Sequence, residues 1–541
     1  MRRLCFWIAA WLALGLSACT TLRPAPPLDT AKACADWRWI AIKKSPDAQC
    51  PEVRGWTVSP LFPQVASVQK LSDDYCAQHA EGKVPDQQVI RELNRFCVYE
   101  ATDKFLEKHP FPPAASAELV RFDQDCAALS TSGSGEKTRV LKNWASYSDH
   151  LLAQAGALNE PLKIDNPYGV RLAILDTEKT SEKIPGDRPE YSWHGYTLAH
   201  IARHLVCFSD NCAAQITTQL ALPIIDFNPK SKKFTKSGAG GYIGMQSDIA
   251  TAITTEVKAW LSARRQGNAE QHLVLNLSLA WDGRLFGGLD EQQIAEMRAG
   301  TQGVYWALQY AAGFDALVLA AAGNQKAEPC DNFGPLLPAA WERGGPPDCR
   351  EWLQNAPRPL VYAVGGVSSN SQPLVNSRFR GTPRRVAYGE NAVVASFEPN
   401  KRTGIMTGSS VATTVVSSIA AVVWSYFPEK NSREIMQILD GSGEDLHRQA
   451  DFWSSPDFTG STARPTVHKL SLCNALKAAC AQPTSVPCPI TIQNLKCVPW
   501  PEPSPMPPPL DTTNWVPDSC QPWAYPQPES PPCLSCGPPG G

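Results

Sequence analysis

Long apolar runs, an excess of charge and paired zinc-binding motifs are all missing from this chain of 541 residues. No interior run reaches the roughly 18 apolar residues of a spanning helix, so we expect the body of the protein not to cross a membrane. Lys and Arg number 50 against 52 Asp and Glu, which gives no electrostatic reason to expect a nucleic-acid partner. No Cys-x-x-Cys pair is followed by a second such pair, the pattern of many zinc sites. The length leaves room for more than one domain.

The first residues have the pattern of an export signal. Arg2 and Arg3 precede an apolar run of 13 residues, Leu4–Leu16, which is too short to span a membrane. The run ends in Leu-Ser-Ala-Cys, which resembles the box of bacterial lipoprotein signals, so we expect residues 1–18 to be removed and Cys19 to be lipidated. Thr20 follows the cysteine, which by Gram-negative sorting rules implies the outer membrane. An ordinary signal peptide with an incidental cysteine is the alternative.

The cysteines fit an oxidising compartment. Of the 18 cysteines, Cys5 lies in the signal and Cys19 would carry lipid, which leaves an even number for disulfides. Close spacing predicts four local bridges, Cys34–Cys50, Cys207–Cys212, Cys330–Cys349 and Cys473–Cys480.

Composition divides the rest of the chain into three regions. Residues 19–155 have mainly helical composition and no chemical motif, and form either an inhibitory prodomain or a stable accessory domain. The usual small prodomain pattern is not evident, which favours the accessory domain. Residues 156–481 alternate short apolar strands with helical patterns. Residues 482–541 hold 18 of the 48 prolines and predict an extended, partly disulfide-linked tail.

The central region predicts an α/β fold with a parallel sheet flanked by helices. Its predicted strands are rich in Val, Ile and Leu, as expected of strands covered on both faces, and comprise Val170–Leu175, Leu273–Leu279, Ala316–Ala321, Leu360–Val364 and Ala392–Ser396. Ser247–Arg264 predicts an amphipathic helix with Ser247 as its cap. Val411–Phe427 is small or apolar nearly all round, which predicts a buried helix ended by Pro428.

Polar residues follow three of these strands, at the sheet edge where catalytic groups of α/β proteins collect. Asp176 follows the first strand, Ser278-Leu279-Ala280 ends the second, and Gly323-Asn324 follows the third. Two helices begin with further candidates, His194 and Ser410.

These segments, in chain order, resemble the motifs of the subtilisin-like serine proteases. The segments are LAILDT, SWHGYTLAHIA, LVLNLSLAWDG, VLAAAGNQ and TGSSVATTVVSSIAA. Their order, Asp then His then Asn then Ser, differs from the order in chymotrypsin-like proteases and in α/β-hydrolases. The resemblance covers residues 160 to 481 and implies a subtilisin-like fold.

The resemblance implies a serine endopeptidase. Ser410 would be the nucleophile, His194 the general base and Asp176 the group that orients the histidine. Asn324 and the backbone N–H of Ser410 would stabilise the oxyanion. No cofactor is required, no metal site is predicted, and a structural calcium ion is left open without support from the sequence. His200 and His204 have a metal-ligand spacing but no acidic residue between them, which favours an ordinary structural role.

Substrate contacts follow from the same resemblance. Ser278, Leu279 and Ala280 would pair with the peptide backbone by strand addition, with Gly323 nearby. Gly238 lies in a glycine-containing stretch that resembles the segment on the other side of the peptide, and a plain flexible loop explains it equally well. Ala280 replaces a glycine of the family, which predicts a narrower pocket.

Two other functions are weighed against this one. One is a catalytically weak or inactive surface interaction protein, which the filled catalytic positions disfavour. The other is a sedolisin-like acid peptidase, which would need a glutamate base and an oxyanion aspartate where His194 and Asn324 stand. We expect a lipid-anchored, extracytoplasmic monomer that acts on peptides or proteins, is held to the membrane through Cys19 and binds no nucleic acid.

Overall fold

The computed structural model describes residues 34–65, 87–101, 118–130, 144–156, 167–177, 194–208 and, with further gaps, 211–497, together with Phe105. The predicted signal, Cys19, Gly238, the Cys330–Cys349 pair and most of the predicted tail lie outside the described residues. The described strands are β1 (Cys34–Lys43), β2 (Trp56–Pro60), β3 (Phe96–Ala101), β4 (Leu119–Ser130), β5 (Val170–Asp176), β6 (Cys207–Phe208), β7 (Asn211–Cys212), β8 (Ala214–Leu220), β9 (Ile224–Asn228), β10 (Lys233–Lys236), β11 (Ile243–Met245), β12 (His272–Leu277), β13 (Leu279–Ala280), β14 (Leu317–Ala321), β15 (Tyr362–Val367), β16 (Arg385–Tyr388), β17 (Ala392–Val393), β18 (Ile405–Met406), β19 (Glu444–Asp445) and β20 (His468–Lys469).

The described helices have the following bounds: α1 (Gln87–Leu93), α2 (Trp144–Gln154), α3 (His194–Val206), α4 (Gln246–Arg265), α5 (Ala299–Gly313), α6 (Ser409–Tyr426), α7 (Ser432–Ser442) and α8 (Leu472–Ala481). A 3₁₀ helix spans Ala339–Arg343. The predicted amphipathic and buried helices correspond to α4 and α6.

The main sheet has the order β19-β20-β16-β15-β14-β12-β5-β8 among the described strands. Its neighbouring strands run parallel except for β19 and β20. Four of the five predicted strands belong to it, so the α/β prediction is confirmed. The fifth, at residue 392, is short and pairs with β18 outside the sheet. Strands β8 and β16 were not predicted, because β8 is half-exposed and polar and β16 has only four residues.

Helices cover both faces of the main sheet. Leu273, Leu275 and Leu277 of β12 face a core shared with α4 and α5. Val274, between them, faces a second core shared with α3, α6, α7 and α8. The apolar runs of these strands therefore reflect burial on both sides.

Helix α6 lies inside the domain along its whole length. All 18 of its residues are buried. It is the one helix among the described residues long and apolar enough to cross a membrane by length and composition, and its complete burial is that of a core helix.

The predicted mainly helical character of residues 19–155 is wrong for the described part. Strands β1–β4 dominate it, with α1 and α2 as its helices. Strands β1–β4 belong to an antiparallel sheet of order β10-β9-β11-β4-β1-β3-β2, in which β13 also pairs with β4. Local composition missed these strands because their partners are distant in sequence, and strand formation depends on cross-strand packing more than on intrinsic preference. The strands β9, β10, β11 and β13 lie beyond residue 155, so this sheet joins the two predicted regions.

Five disulfides lie among the described residues, and the sequence spacing predicted one of them. Cys207–Cys212 is confirmed. The predicted Cys34–Cys50 and Cys473–Cys480 pairs are wrong, because these cysteines form Cys34–Cys126, Cys50–Cys97, Cys473–Cys497 and Cys480–Cys488. Cys34 and Cys126 face each other in the register of β1 and β4, which brings together residues 92 apart in sequence.

Candidate active site

Asp176 and His194 form a buried hydrogen-bonded pair. Asp176 ends β5, and His194 is the first residue of α3. The two side chains are 1% and 3% exposed, and Asp176 Oδ1 lies 2.8 Å from His194 Nδ1. An ionised carboxylate only accepts hydrogen bonds, so Nδ1 carries the proton and Nε2 is the basic nitrogen of the ring.

Thr177 links the strand of Asp176 to the helix of His194. The backbone N–H of Gly195 donates to Thr177 Oγ1 at 2.9 Å, and Thr177 is fully buried. This bond satisfies one of the N–H groups that the first turn of a helix leaves open. This role was not predicted from the sequence, although Thr177 stands directly after the predicted aspartate.

Ser410 lies at the start of α6 and faces the end of β12. Its hydroxyl donates to the carbonyl oxygen of Ser278 at 3.3 Å, and the Ser278 hydroxyl lies 3.2 Å from the carbonyl oxygen of Ser410. Both serines have no exposed surface. The structure therefore brings the predicted nucleophile and the first residue of the predicted substrate edge into contact.

Asn276 holds this contact in place and was not singled out from the sequence. Its Oδ1 accepts a hydrogen bond from the Ser278 hydroxyl at 2.8 Å. Its Nδ2 donates to the hydroxyls of Thr414 at 3.3 Å and Ser417 at 3.1 Å. The sequence does offer one signal for this role, because Asn276 is a polar residue within an apolar strand. Its side chain is fully buried, and a buried amide needs hydrogen-bond partners.

Asn324 is positioned by the first residue of α6. The backbone N–H of Ser409 donates to Asn324 Oδ1 at 3.0 Å, and the Ser409 hydroxyl does so at 3.2 Å. The backbone N–H of Gly323 donates to the Ser409 hydroxyl at 3.2 Å. Gly323 has φ +98°, and a Cβ there would lie 2.7 Å from Leu336 Cδ1, so this position requires glycine.

The sheet order and helix packing bring these groups to one edge. Strands β5, β12 and β14 are neighbours and parallel, so Asp176, Ser278 and Asn324 lie at adjacent carboxyl ends. Helix α3 packs against α6, which places the helices that begin with His194 and Ser409 on the same side of the sheet.

The predicted substrate edge is occupied by strand β4 of this same chain. Leu279 pairs with Ser130, and Ala280 pairs with Leu129. On its other side β4 pairs with β11, where Gly244 faces Ala128. A glycine that faces the bound strand among the described residues is thus Gly244. The predicted Gly238 lies outside the described residues and stays a prediction.

Two carboxylates of β4 contact the first turns of two helices. Asp123 accepts a hydrogen bond from the Ala299 N–H of α5 at 2.9 Å. Asp125 accepts from the Ser247 N–H of α4 at 3.3 Å and from the Ser247 hydroxyl, and Arg38 lies 3.9 Å away. Burial raises the pKa of Asp125 to about 7, against the opposing effects of Arg38 and the Ser247 hydrogen bonds. The prediction that Ser247 caps α4 is wrong, because Ser247 lies within the first turn of the helix and the N-cap residue is Met245.

His200 and His204 pack against an aromatic ring. Their ring centroids lie 4.2 Å and 6.1 Å from that of Trp144. Burial lowers the pKa of both histidines. Within the described part of the chain, no group of three or more His, Cys, Asp or Glu side chains could hold a metal ion.

The subtilase family model, Peptidase S8, matches residues 176–451, slightly more than half of the chain. The chain belongs to the subtilase family and is a serine-type peptidase whose substrates are peptides or proteins. A search of curated proteins gave no match.

Several solved structures of proteases are similar to this chain. The prenylagaramide maturation protease PagA has 19% identity and a TM-score of 0.34, over 57% of this chain and 94% of its own. A lanthipeptide protease has 16% identity and a TM-score of 0.37, over 62% of this chain and 96% of its own. Fervidolysin from Fervidobacterium pennivorans, a keratinolytic enzyme related to subtilisin, has 12% identity and a TM-score of 0.42, over 84% of this chain and 61% of its own.

Proposed function

We propose that the protein is a serine endopeptidase whose catalytic triad is Asp176, His194 and Ser410. The observation that carries this proposal is the buried hydrogen bond of 2.8 Å between Asp176 Oδ1 and His194 Nδ1. Such a bond holds the imidazole in the tautomer that can accept a proton at Nε2 and stabilises the cation that forms.

In the proposed reaction, Ser410 Oγ attacks the carbonyl carbon of the peptide while His194 takes the proton of the Ser410 hydroxyl. The C–N bond then breaks, and His194 returns the proton to the leaving amine. Water attacks the acyl-enzyme ester in the same way and restores Ser410. The triad chemistry uses no cofactor.

The oxyanion would form between Asn324 and the first turn of α6. The Ser409 N–H is a donor, so the amide end of Asn324 that faces it must be Oδ1, and the NH₂ group points away from Ser409. Together with the backbone N–H of Ser410 at the positive end of the helix, this NH₂ group would supply two donors.

We further propose that the N-terminal region inhibits the enzyme, the prodomain interpretation that the sequence alone disfavoured. Supporting it, β4 lies on the edge Leu279–Ala280 in the antiparallel manner expected of a substrate. The site is also closed in this form, since Ser410 has no exposed surface and His194 is 5% exposed.

The end of β4, Ala127–Ser130, lies in a groove between β11 and β13, and the contacts of β4 beyond this groove support the same role. Asp123 contacts the first turn of α5, where the helix dipole favours negative charge, and Asp125 accepts hydrogen bonds from Ser247 in the first turn of α4. The Cys34–Cys126 disulfide fixes β4 to β1 directly before the segment that lies in the groove. We expect cleavage in the segment after Ser130, which would leave the lipid-bearing Cys19 on the N-terminal piece and free the peptidase from the membrane.

The test combines active-site labelling with protein mass. The full-length protein and its Ser410→Ala variant are expressed, fractionated into membrane and soluble parts, and treated with a fluorophosphonate probe. We expect labelling only of the wild-type protein, and a cut after Ser130 only in the wild-type protein.

Other outcomes separate the proposals. If the probe labels the wild-type protein and Ser410→Ala equally, or does not label folded wild-type protein at all, the peptidase proposal is contradicted. Either result would favour an inactive interaction protein. If uncut protein is labelled as fast as cut protein, the proposal of inhibition by the N-terminal region is contradicted, but the peptidase proposal is not. The same soluble mass in both proteins would show that another protease makes the cut. Absence of the uncut Ser410→Ala protein from the membrane fraction would contradict lipidation of Cys19.

A further inference from the structure

The last four residues of β4 show how a peptide lies in the groove. Ala127 and Ala128 face Met245 and Gly244 of β11. On the opposite side, Leu129 and Ser130 pair with β13. The segment is antiparallel to both strands, so backbone hydrogen bonds hold it from two sides.

The register also gives the direction of the peptide. Leu129 faces Ala280 and Ser130 faces Leu279, so the partner number falls as the β4 number rises. The next residue of the groove edge is Ser278, whose carbonyl oxygen accepts the hydrogen bond from Ser410. A peptide bound in this way points its C-terminal end toward the nucleophile.

The position of Ala128 has little room. Ala128 has no exposed surface, and its cross-strand partner Gly244 has no side chain. A Cβ on Gly244 would lie 2.1 Å from the carbonyl oxygen of Ala221 and 2.8 Å from Leu222 Cδ2. Directly opposite residues of an antiparallel pair project from the same face, so the methyl group of Ala128 lies on the face that Ala221 and Leu222 close.

Resting on the proposed peptidase function, we propose that the groove selects peptides with a small side chain at the position of Ala128. Alanine, glycine and serine would fit there, and Ala221, Leu222 and Gly244 would set the limit. The selected residue lies two positions before that of Ser130, on the N-terminal side of the cleaved bond. The N-terminal strand satisfies this selectivity itself and thereby occupies the site.

The experiment uses quenched fluorescent peptides of the sequence 120–136 as substrates. The enzyme is the wild-type protein, expressed from the full sequence and allowed to cleave itself. The test peptide carries Ala128→Phe, and the control carries Gln124→Phe, since Gln124 pairs with Trp39 of β1 and lies outside the groove. We expect the parent and control peptides to be cleaved at similar rates. The Ala128→Phe peptide should lose kcat/KM by about tenfold to a few hundredfold, the range for a side chain that a pocket rejects. Equal cleavage of all three peptides would overturn the proposal while leaving the peptidase function intact.

A pocket variant tests which residues set the limit. Leu222→Ala should raise cleavage of the Ala128→Phe peptide relative to the parent peptide, because it removes atoms next to the Gly244 backbone. An unchanged ratio in a folded Leu222→Ala protein would contradict the role of Leu222. Failure to cleave any peptide, together with no fluorophosphonate labelling, would remove both the peptidase proposal and this one.

Discussion

The side-chain oxygen of Asn324 accepts a hydrogen bond from the backbone N–H of Ser409, at 3.0 Å. Because this bond engages Oδ1, the NH₂ group of the Asn324 amide is the end available to donate a hydrogen bond to a substrate. Replacing Asn324 by Asp keeps an acceptor for Ser409 but puts a carboxylate oxygen where the NH₂ group was. We expect Asn324→Asp to fold normally and to lose kcat by at least the roughly 10²–10³ that removal of the oxyanion asparagine costs in subtilisin, a member of this family.

Steady-state kinetics and thermal unfolding check this prediction. KM should change little, since the donor acts on charge that develops in the transition state. Asn324→Asp activity within a factor of about ten of wild type would place the oxyanion elsewhere.

The two adjacent serines should behave differently on mutation. Ser410→Ala removes the nucleophile, and in subtilisin the corresponding loss is about 10⁶ in kcat. Ser409→Thr keeps the hydroxyl that contacts Asn324 and Gly323, so we expect activity close to wild type. Ser409→Ala should lower activity to an intermediate level. Steady-state kinetics of all three variants measures this order, and a Ser409→Thr enzyme as inactive as Ser410→Ala would contradict it.

Thr177 is expected to position His194 without touching substrate. Thr177→Val is similar in shape but removes the acceptor for the Gly195 N–H, which a buried helix start needs. We expect a lower kcat with KM nearly unchanged and a shifted acidic limb in the pH profile of kcat/KM, because the histidine ring is less well held.

Thr177→Ser is the matched control, since it restores the hydroxyl. It should recover most of the activity of Thr177→Val. A Thr177→Val enzyme with lower stability but an unchanged pH profile would assign Thr177 a purely structural role.

Asp125 should make the docking of β4 depend on pH. Burial raises its pKa to about 7 from an ordinary value of 3.8, so the docked form binds a proton more tightly than a released, solvated strand. Docking is therefore strongest below the ordinary pKa and weakens as pH rises through about 7. The groups that face this carboxyl are Ser247, Arg38 and, through Arg38, Asp248.

Hydrogen exchange of the Ala127–Ser130 amides, measured in the Ser410→Ala background, tests this dependence without catalysis. After correction for intrinsic rates, protection should be about tenfold or more greater at pH 5 than at pH 8. Asp125→Asn should remove the dependence, whereas Asp123→Asn should keep it, because Asp123 is 27% exposed in its side chain. Greater protection at pH 8 than at pH 5 would contradict the assigned direction.

The α/β class of the central region and the candidates for catalysis could be predicted from the amino-acid sequence alone. This was possible because strands covered on both faces read as apolar runs, and polar residues that interrupt or follow them stand out. The buried helix that begins at Ser409 was evident for the same reason, since nearly every one of its residues is small or apolar.

The position of β4 at the predicted substrate edge was evident from the folded structure and not from the sequence. Strand β4 pairs with residues more than 100 positions away, and local composition does not predict such partners. The same limit applies to the Cys34–Cys126 disulfide, to the pairing of Gly244 with Ala128, and to the contact of Asp125 with Ser247. Each depends on strand register and helix placement, which are set by packing between distant segments and not by the residues next to them in the chain.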